Sequence, residues 1–194
     1  MKKLVLKTAG ITLAVIIMIA GLIFGAFAIF SPKTLAKFFD GAGNYSLSVI
    51  FYEKQYNKTQ DISDLYVLSV KLDDEKDAEK TQKYLAEFLS SEGVKDYCAN
   101  FDNIGSGIKT YDYLNGKYVC ALYSVKGITD TIIYLENSVK TDYNDFNGYS
   151  ILLGEFSDTL TTEDLSKILT SLNGLSIDSE YKTRDINIVK SLMV

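Results

Sequence analysis

Residues Ala9 to Phe30 are 22 consecutive positions without a charged side chain, and Thr12 is the one plainly polar residue among them. As a helix rising about 1.5 Å per residue the segment is roughly 33 Å long, which matches a hydrocarbon core of about 30 Å. The sequence therefore predicts a transmembrane helix over residues 9–30, a short n-region over 1–8 before it, and a domain over 31–194 after it. A secretory signal peptide competes with this reading, because Ala26-Phe27-Ala28 offers a small-x-small cleavage pattern behind a basic start. Signal-peptide apolar cores run about 7 to 15 residues, so the length favours an uncleaved anchor. Cleavage after Ala28 is the alternative and would release a secreted chain. Lys2, Lys3 and Lys7 precede the segment, while Lys33 and Lys37 follow it and are soon offset by Asp40. That bias predicts a single-pass protein of the cell membrane with its N-terminus in the cytoplasm and its domain outside. No Cys stands at the end of the segment to accept a lipid.

The charge of the remainder narrows its partners. Residues 1–37 hold five Lys and no acid, which leaves 15 Lys plus Arg against 25 Asp plus Glu, a net of −10, on residues 38–194. Phosphate backbones need a basic surface, so nucleic acid is excluded as a partner, and a domain of this charge does not lie flat on anionic lipid. The chain has no His and only two Cys, Cys98 and Cys120. A Cys and His zinc site is thereby ruled out for one chain, and so are Ser-His, Cys-His and His-metal mechanisms. Two buried thiols are the simpler expectation for the cysteines, with a disulfide as the alternative outside the cytoplasm.

Pro32, the one proline, follows Ser31, a pairing that predicts a helix start with Ser31 as its cap. Helical periodicity then runs from 32 to 40 and stops at Gly41-Ala42-Gly43. Asn44 caps a second stretch with Tyr45, Val49, Tyr52 and Tyr56 on one face. A second hairpin follows: Asp61 and Asp64 open a helix carrying Ile62, Leu65, Leu68 and Leu72, and its partner carries Ala78, Leu85, Phe88 and Leu89. Residues 94–108 are irregular, with Gly105-Ser106-Gly107 marking a loop. A third pair has Tyr111, Leu114, Tyr118, Leu122 and Val125 on one helix, a turn at Lys126-Gly127, and Ile128, Ile132, Leu135 and Val139 on the next. Leu160-Thr161 and Asp164-Leu165 predict a capping box and a hydrophobic staple for a helix ending at Asn173-Gly174. A weaker last helix covers about 177–191. Short strand readings exist for Tyr118–Tyr123 and Ile186–Val189.

The three hairpins overlay when Gly43, Lys76 and Lys126 are set as equivalent turns. Ser48 then aligns with Thr81 and Thr131, Phe51 with Tyr84 and Tyr134, Tyr52 with Leu85 and Leu135, and Tyr56 with Leu89 and Val139. The spacings are 33 and 50 residues, the second as if residues 94–108 were inserted. Gly43-Asn44-Tyr45, then Ser48, Phe51-Tyr52 and Tyr56, resembles the second half of a tetratricopeptide repeat, and the resemblance covers residues 32–141. It departs from the family in lacking Trp, in placing Gln55 where the family prefers Ala, and in closing no repeat with Pro. The resemblance implies an all-α stack of antiparallel hairpins and protein–protein binding on a concave surface, and it carries over no specific binding residue; Tyr52 and Tyr56, on one face of the second helix, are the candidate partner-binding residues.

Short matches to catalytic or metal motifs carry less. Tyr113-x-x-x-Lys117 lacks an upstream strand and Gly-rich turn, so it reads as a helical pair. Ser179-x-x-Lys182 lacks the companion elements of penicillin-binding enzymes. Asp145, Asn147 and Gly148 sit at calcium-loop spacing, but Tyr143 and Gly154 occupy the two most demanding positions and Glu155 falls one place late. Asp142 to Asn147 is then a polar loop. Most Tyr and Phe fall at core spacing. The sequence thus predicts no cofactor, no metal and no catalysis, and a membrane-anchored helical-repeat module of bacterial type that binds another protein outside the cytoplasm. The alternative is an extracytoplasmic ligand-binding or sensory domain with a cleft where residues 94–108 meet the third hairpin. An open groove would favour the first and an enclosed pocket the second.

Overall fold

A computed structural model describes residues 2–73, 76–102, 109–139, 148–177 and 179–194, with side chains from residue 11 onward. Every regular element among the described residues is α-helical. The chain forms two compact units, the first ending at Lys71 and the second beginning at Leu72.

The first unit holds α1 (Lys2–Phe30), α2 (Pro32–Gly41), α3 (Tyr45–Thr59) and α4 (Ile62–Lys71). α2 packs on both α1 and α3, and α3 packs on α4. The turn between α2 and α3 needs Gly43, whose φ of +72° suits a residue without a Cβ. Asn44 then caps α3 by accepting from the Leu47 amide at 3.2 Å, as the sequence predicts. Ser31 departs from expectation: it occupies the cap position of α2, yet its side chain makes no capping hydrogen bond. Its own amide still bonds the Phe27 carbonyl of α1 at 2.9 Å, and its φ, ψ of −139°, 58° lie outside the extended region where a cap hydroxyl can reach back.

At the start of α4, Asp64 is buried and accepts from Lys33 at 2.6 Å, Gln55 at 2.9 Å and Thr59 at 2.9 Å. Gln55, the departure from the repeat pattern, therefore has a structural reason: an Ala there would leave this carboxylate one donor short. Burial opposes the ionised form of Asp64, but the three donors together with the Lys33 charge outweigh it and hold the carboxyl below its usual range.

The second unit holds α5 (Ala78–Leu89), α6 (Val94–Ala99), α7 (Thr110–Lys126), α8 (Ile128–Ser138), α9 (Gly148–Phe156), α10 (Thr162–Gly174) and α11 (Glu180–Leu192). α7 is the central helix and packs against α5, α6, α8 and α9. A Cβ at Gly116 of α7 would stand 3.0 Å from Ile151 of α9, so the small residue sets how closely these helices approach. Gly127 alone joins α7 to α8, with φ of +78°. The core gathers Val119, Leu135, Tyr149, Leu152, Ile168, Leu172 and Val189 from α7 to α11. The predicted capping box is present at α10: Thr161 accepts from the Asp164 amide and Asp164 from the Thr161 amide, each at 3.1 Å. Leu160 and Leu165, the staple, both join the core.

Further expectations need correction. Val94–Ala99, within the stretch read as irregular, is the helix α6; Gly105-Ser106-Gly107 lies outside the described residues. Gly148–Phe156 is a helix that the sequence reading lacked, and it places Gly154 and Glu155 of the near-calcium loop inside α9, while Tyr143, Asp145 and Asn147 lie outside the described residues. The two strand readings fall within α7 and α11, where tertiary packing of the β-branched residues overrides their local preference. The last helix starts at Glu180, capped by Ser179, rather than at 177.

Two of the four overlaid triads agree in burial, while Tyr134 and Leu89 are half-buried where their counterparts are buried. Asn44, Asp77 and Gly127, equivalent in the alignment, each stand at the cap of a helix. Ser48, Thr81 and Thr131 are all buried, as are Tyr52, Leu85 and Leu135.

Candidate functional site

α8 and α10 pack side by side, and an open groove of about 700 Å³ runs between them. Thr129, Ile132, Ile133 and Glu136 line it from α8, and Ser166, Lys167, Thr170, Ser171 and Gly174 from α10, with Leu175 and Ser176 closing one end. The helical spacing that puts Ile132 and Leu135 into the core turns Ile133 outward, and it is 52% exposed. Lys167 stands on the rim, paired to Glu163 one turn back at 2.7 Å.

The wall of the groove is fixed by a hydroxyl chain. Ser171 donates to Glu136 Oε1 at 2.6 Å, and the Tyr149 hydroxyl lies 2.7 Å from Ser171 Oγ. A serine has one proton, and a carboxylate can only accept, so Tyr149 donates to Ser171 and Ser171 to Glu136. This chain ties α9 to α10 and α10 to α8. Burial pushes the Tyr149 hydroxyl up to about 12; the Ser171 bond works against that shift and the Glu136 charge adds to it. The tyrosine is therefore a neutral donor at ordinary pH.

A smaller cavity of about 270 Å³ lies where α6 meets the start of α7, the place the sequence suggested for a ligand cleft. Lys95, Asp96, Cys98, Asp102, Lys109 and Asp112 are among its lining residues. Asp102 accepts from the Thr110 amide at 2.7 Å and so caps α7 from eight residues away, a pairing no local motif announces. This volume falls below the roughly 300–1,000 Å³ of small-molecule sites, whereas the α8–α10 groove falls within it.

Both cysteines are buried and free. Burial, helped by the Asp102 charge, pushes the Cys98 thiol up to about 11. At pH 8 only about a thousandth of such a thiol is ionised, so it is a poor nucleophile. Dithionitrobenzoate should label neither cysteine rapidly in the native chain and two per chain after unfolding in guanidinium without reductant; zero after unfolding would mean a disulfide.

The candidate residues read from sequence are scattered. Tyr52 and Tyr56 lie inside the first unit, 4% and 5% exposed, and their rings are taken up by packing. Tyr113 is exposed on α7; the Lys117 ammonium stands 5.9 Å from its ring centroid and donates to the Leu72 carbonyl. Lys182 donates to the Leu175 carbonyl at 2.6 Å while Ser179 caps α11, so each serves its local backbone. Among the described residues no group of three or more Cys, Asp or Glu side chains gathers as a metal site. The groove residues were legible only as the outward side of two amphipathic helices, Ile133 being the one large apolar residue on the wrong side of α8.

At the N-terminus, Ile11–Phe30 is a single helical stretch long and apolar enough to cross a membrane, and none of it is buried. Comparison of the chain with models of known protein families, with curated proteins and with solved structures gave no match.

Proposed function

We propose that this protein is a membrane-anchored, non-catalytic helical module, similar to a tetratricopeptide stack, that binds a partner protein outside the cytoplasm. The observation that carries the reading is the open α8–α10 groove. It is open, carries an exposed isoleucine and is lined by apolar and polar side chains together, an arrangement that accepts a helix or extended segment of another chain. The smaller α6–α7 cavity is the place an enclosed ligand would need, and its volume is short for that purpose.

The anchor is read as uncleaved because its uncharged stretch of 22 residues, Ala9 to Phe30, is longer than the about 7 to 15 of a signal-peptide core. The lysines at positions 2, 3 and 7 favour a cytoplasmic N-terminus.

The groove reading is tested by placing a photocrosslinking amino acid at Thr170, which lines the groove and is exposed. In cells of the source organism it should give one defined protein adduct. The added substitution Ile133→Glu should reduce that adduct at least about tenfold while leaving thermal stability within about 0.5 kcal/mol, as expected for a surface change. Absence of an adduct from probes at both Thr170 and Ile133 would count against the groove as a binding site.

A further inference from the structure

The first unit bears on where the bilayer ends. Phe24 lies six residues before Phe30, about 9 Å down the α1 axis. Its ring meets Phe39 of α2 edge-on at 6.2 Å and Phe51 of α3 at 6.0 Å. At the other end of the same stretch, Lys58 of α3 donates to the Phe30 carbonyl at 3.2 Å. α3 therefore runs alongside the last turns of α1, and α2 runs back along them from Ser31. Asp40, the residue after Phe39, is paired with Lys71 at 2.6 Å, and both side chains are more than a third exposed. If the hydrocarbon boundary stood at Phe30, this ion pair would lie about 9 Å beneath it, and a helix tilt of about 20° would lessen that by under 1 Å. Charges at such depth in lipid are costly and rare.

We propose that the hydrocarbon boundary crosses α1 near Phe24, and that residues 24–30 together with the α2–α3 hairpin form a collar seated in the outer headgroup layer. The proposal rests on the membrane-anchor reading above. Residues 4–23 then carry the span, twenty positions or about 30 Å. Two observations fit the collar to a lipid interface. Phe30 is 74% and Phe38 66% exposed, with Phe27 and Ile29 also open, so this level of the molecule presents apolar side chains that water disfavours and the interfacial layer accepts. Charge agrees: residues 31–60 hold Lys33, Lys37, Lys54 and Lys58 against Asp40 and Glu53, while residues 61–194 hold 13 basic against 23 acidic side chains. The hairpin is thus net positive by two while the rest of the chain beyond the span, taken together, is net acidic, and phosphate headgroups complement it.

The test uses the full chain in vesicles of phosphatidylcholine with phosphatidylglycerol, carrying Cys98→Ala and Cys120→Ala, with nitroxide labels at Met18→Cys, Ile23→Cys, Phe27→Cys, Phe30→Cys and Phe38→Cys, one at a time. All five positions are exposed, so the labels leave the packing intact. Collisions with dissolved oxygen should dominate at Met18, balance those with a polar nickel chelate near Ile23 and Phe38, and be outnumbered by them at Phe27 and Phe30. Oxygen dominance at Phe27 and Phe38, with the balance at Phe30, would overturn the collar and leave the anchor standing. Chelate dominance at all five, Met18 included, would overturn the anchor itself.

Discussion

Replacing Phe88 with Ala is expected to lower the unfolding free energy by about 3–5 kcal/mol, read by urea titration of the full chain in detergent with far-UV circular dichroism. Phe88 is completely enclosed near the end of α5, which packs on the central helix α7, and its ring meets Tyr97 of α6 edge-on at 6.2 Å. Removing the ring forfeits its transfer from water and leaves a hole that three packed helices cannot collapse into, because α7 is held on its other sides by α8 and α9. Phe38→Ala is the control. The same chemical change at an exposed ring should move stability by no more than about 0.5 kcal/mol in the same titration. Equal effects at the two positions would contradict the assignment of Phe88 to the core.

Asp64→Ala should cost about 2–3 kcal/mol, and its effect should depend on pH. The carboxylate takes hydrogen bonds from Lys33, Gln55 and Thr59, and deletion strands those donors around a buried site. Lys33 is 40% exposed and can turn to water, which keeps the loss below that of a fully enclosed ion pair. The sign follows from the depressed pKa. The unfolded carboxyl, near 3.9, binds protons before the folded one does, so the stabilisation is complete above the unfolded value. It is lost as pH falls through the lower folded value. The stability gap between the native chain and Asp64→Asn should therefore be flat from pH 8 to about 5 and narrow below about 4. A gap that widens on acidification would contradict the network.

Much of this architecture could be read from residue order, and the places where it could not have physical causes. Asn44, Thr161 with Asp164, and the apolar faces of α3, α5, α8 and α10 are local signals, decided within one or two turns of chain, and each appears in the structure. α9 escaped because it follows a polar stretch that reads as a loop and begins with Gly148, a poor helix former, although Tyr149, Leu152, Leu153 and Phe156 repeat at helical spacing. Ser31 misled because the turn from α1 into α2 holds its backbone at φ, ψ of −139°, 58°, outside the extended region from which a cap hydroxyl reaches back. Helical spacing puts Tyr52 and Tyr56 on one face of α3, and spacing does not distinguish a face turned to a groove from one turned to the core. The groove itself depends on how far apart α8 and α10 are held by Tyr149, Ser171 and Glu136, a separation of 35 residues along the chain that no local pattern encodes.

The central claim is that α1 stays attached and holds a helical domain to the membrane. Intact-mass measurement of the chain recovered from cells, after alkaline carbonate extraction, tests it most directly. The account predicts the full 21.6 kDa chain, starting at or next to Met1, in the carbonate-resistant membrane fraction. A shorter chain beginning at Ile29, recovered in the soluble fraction, would contradict it.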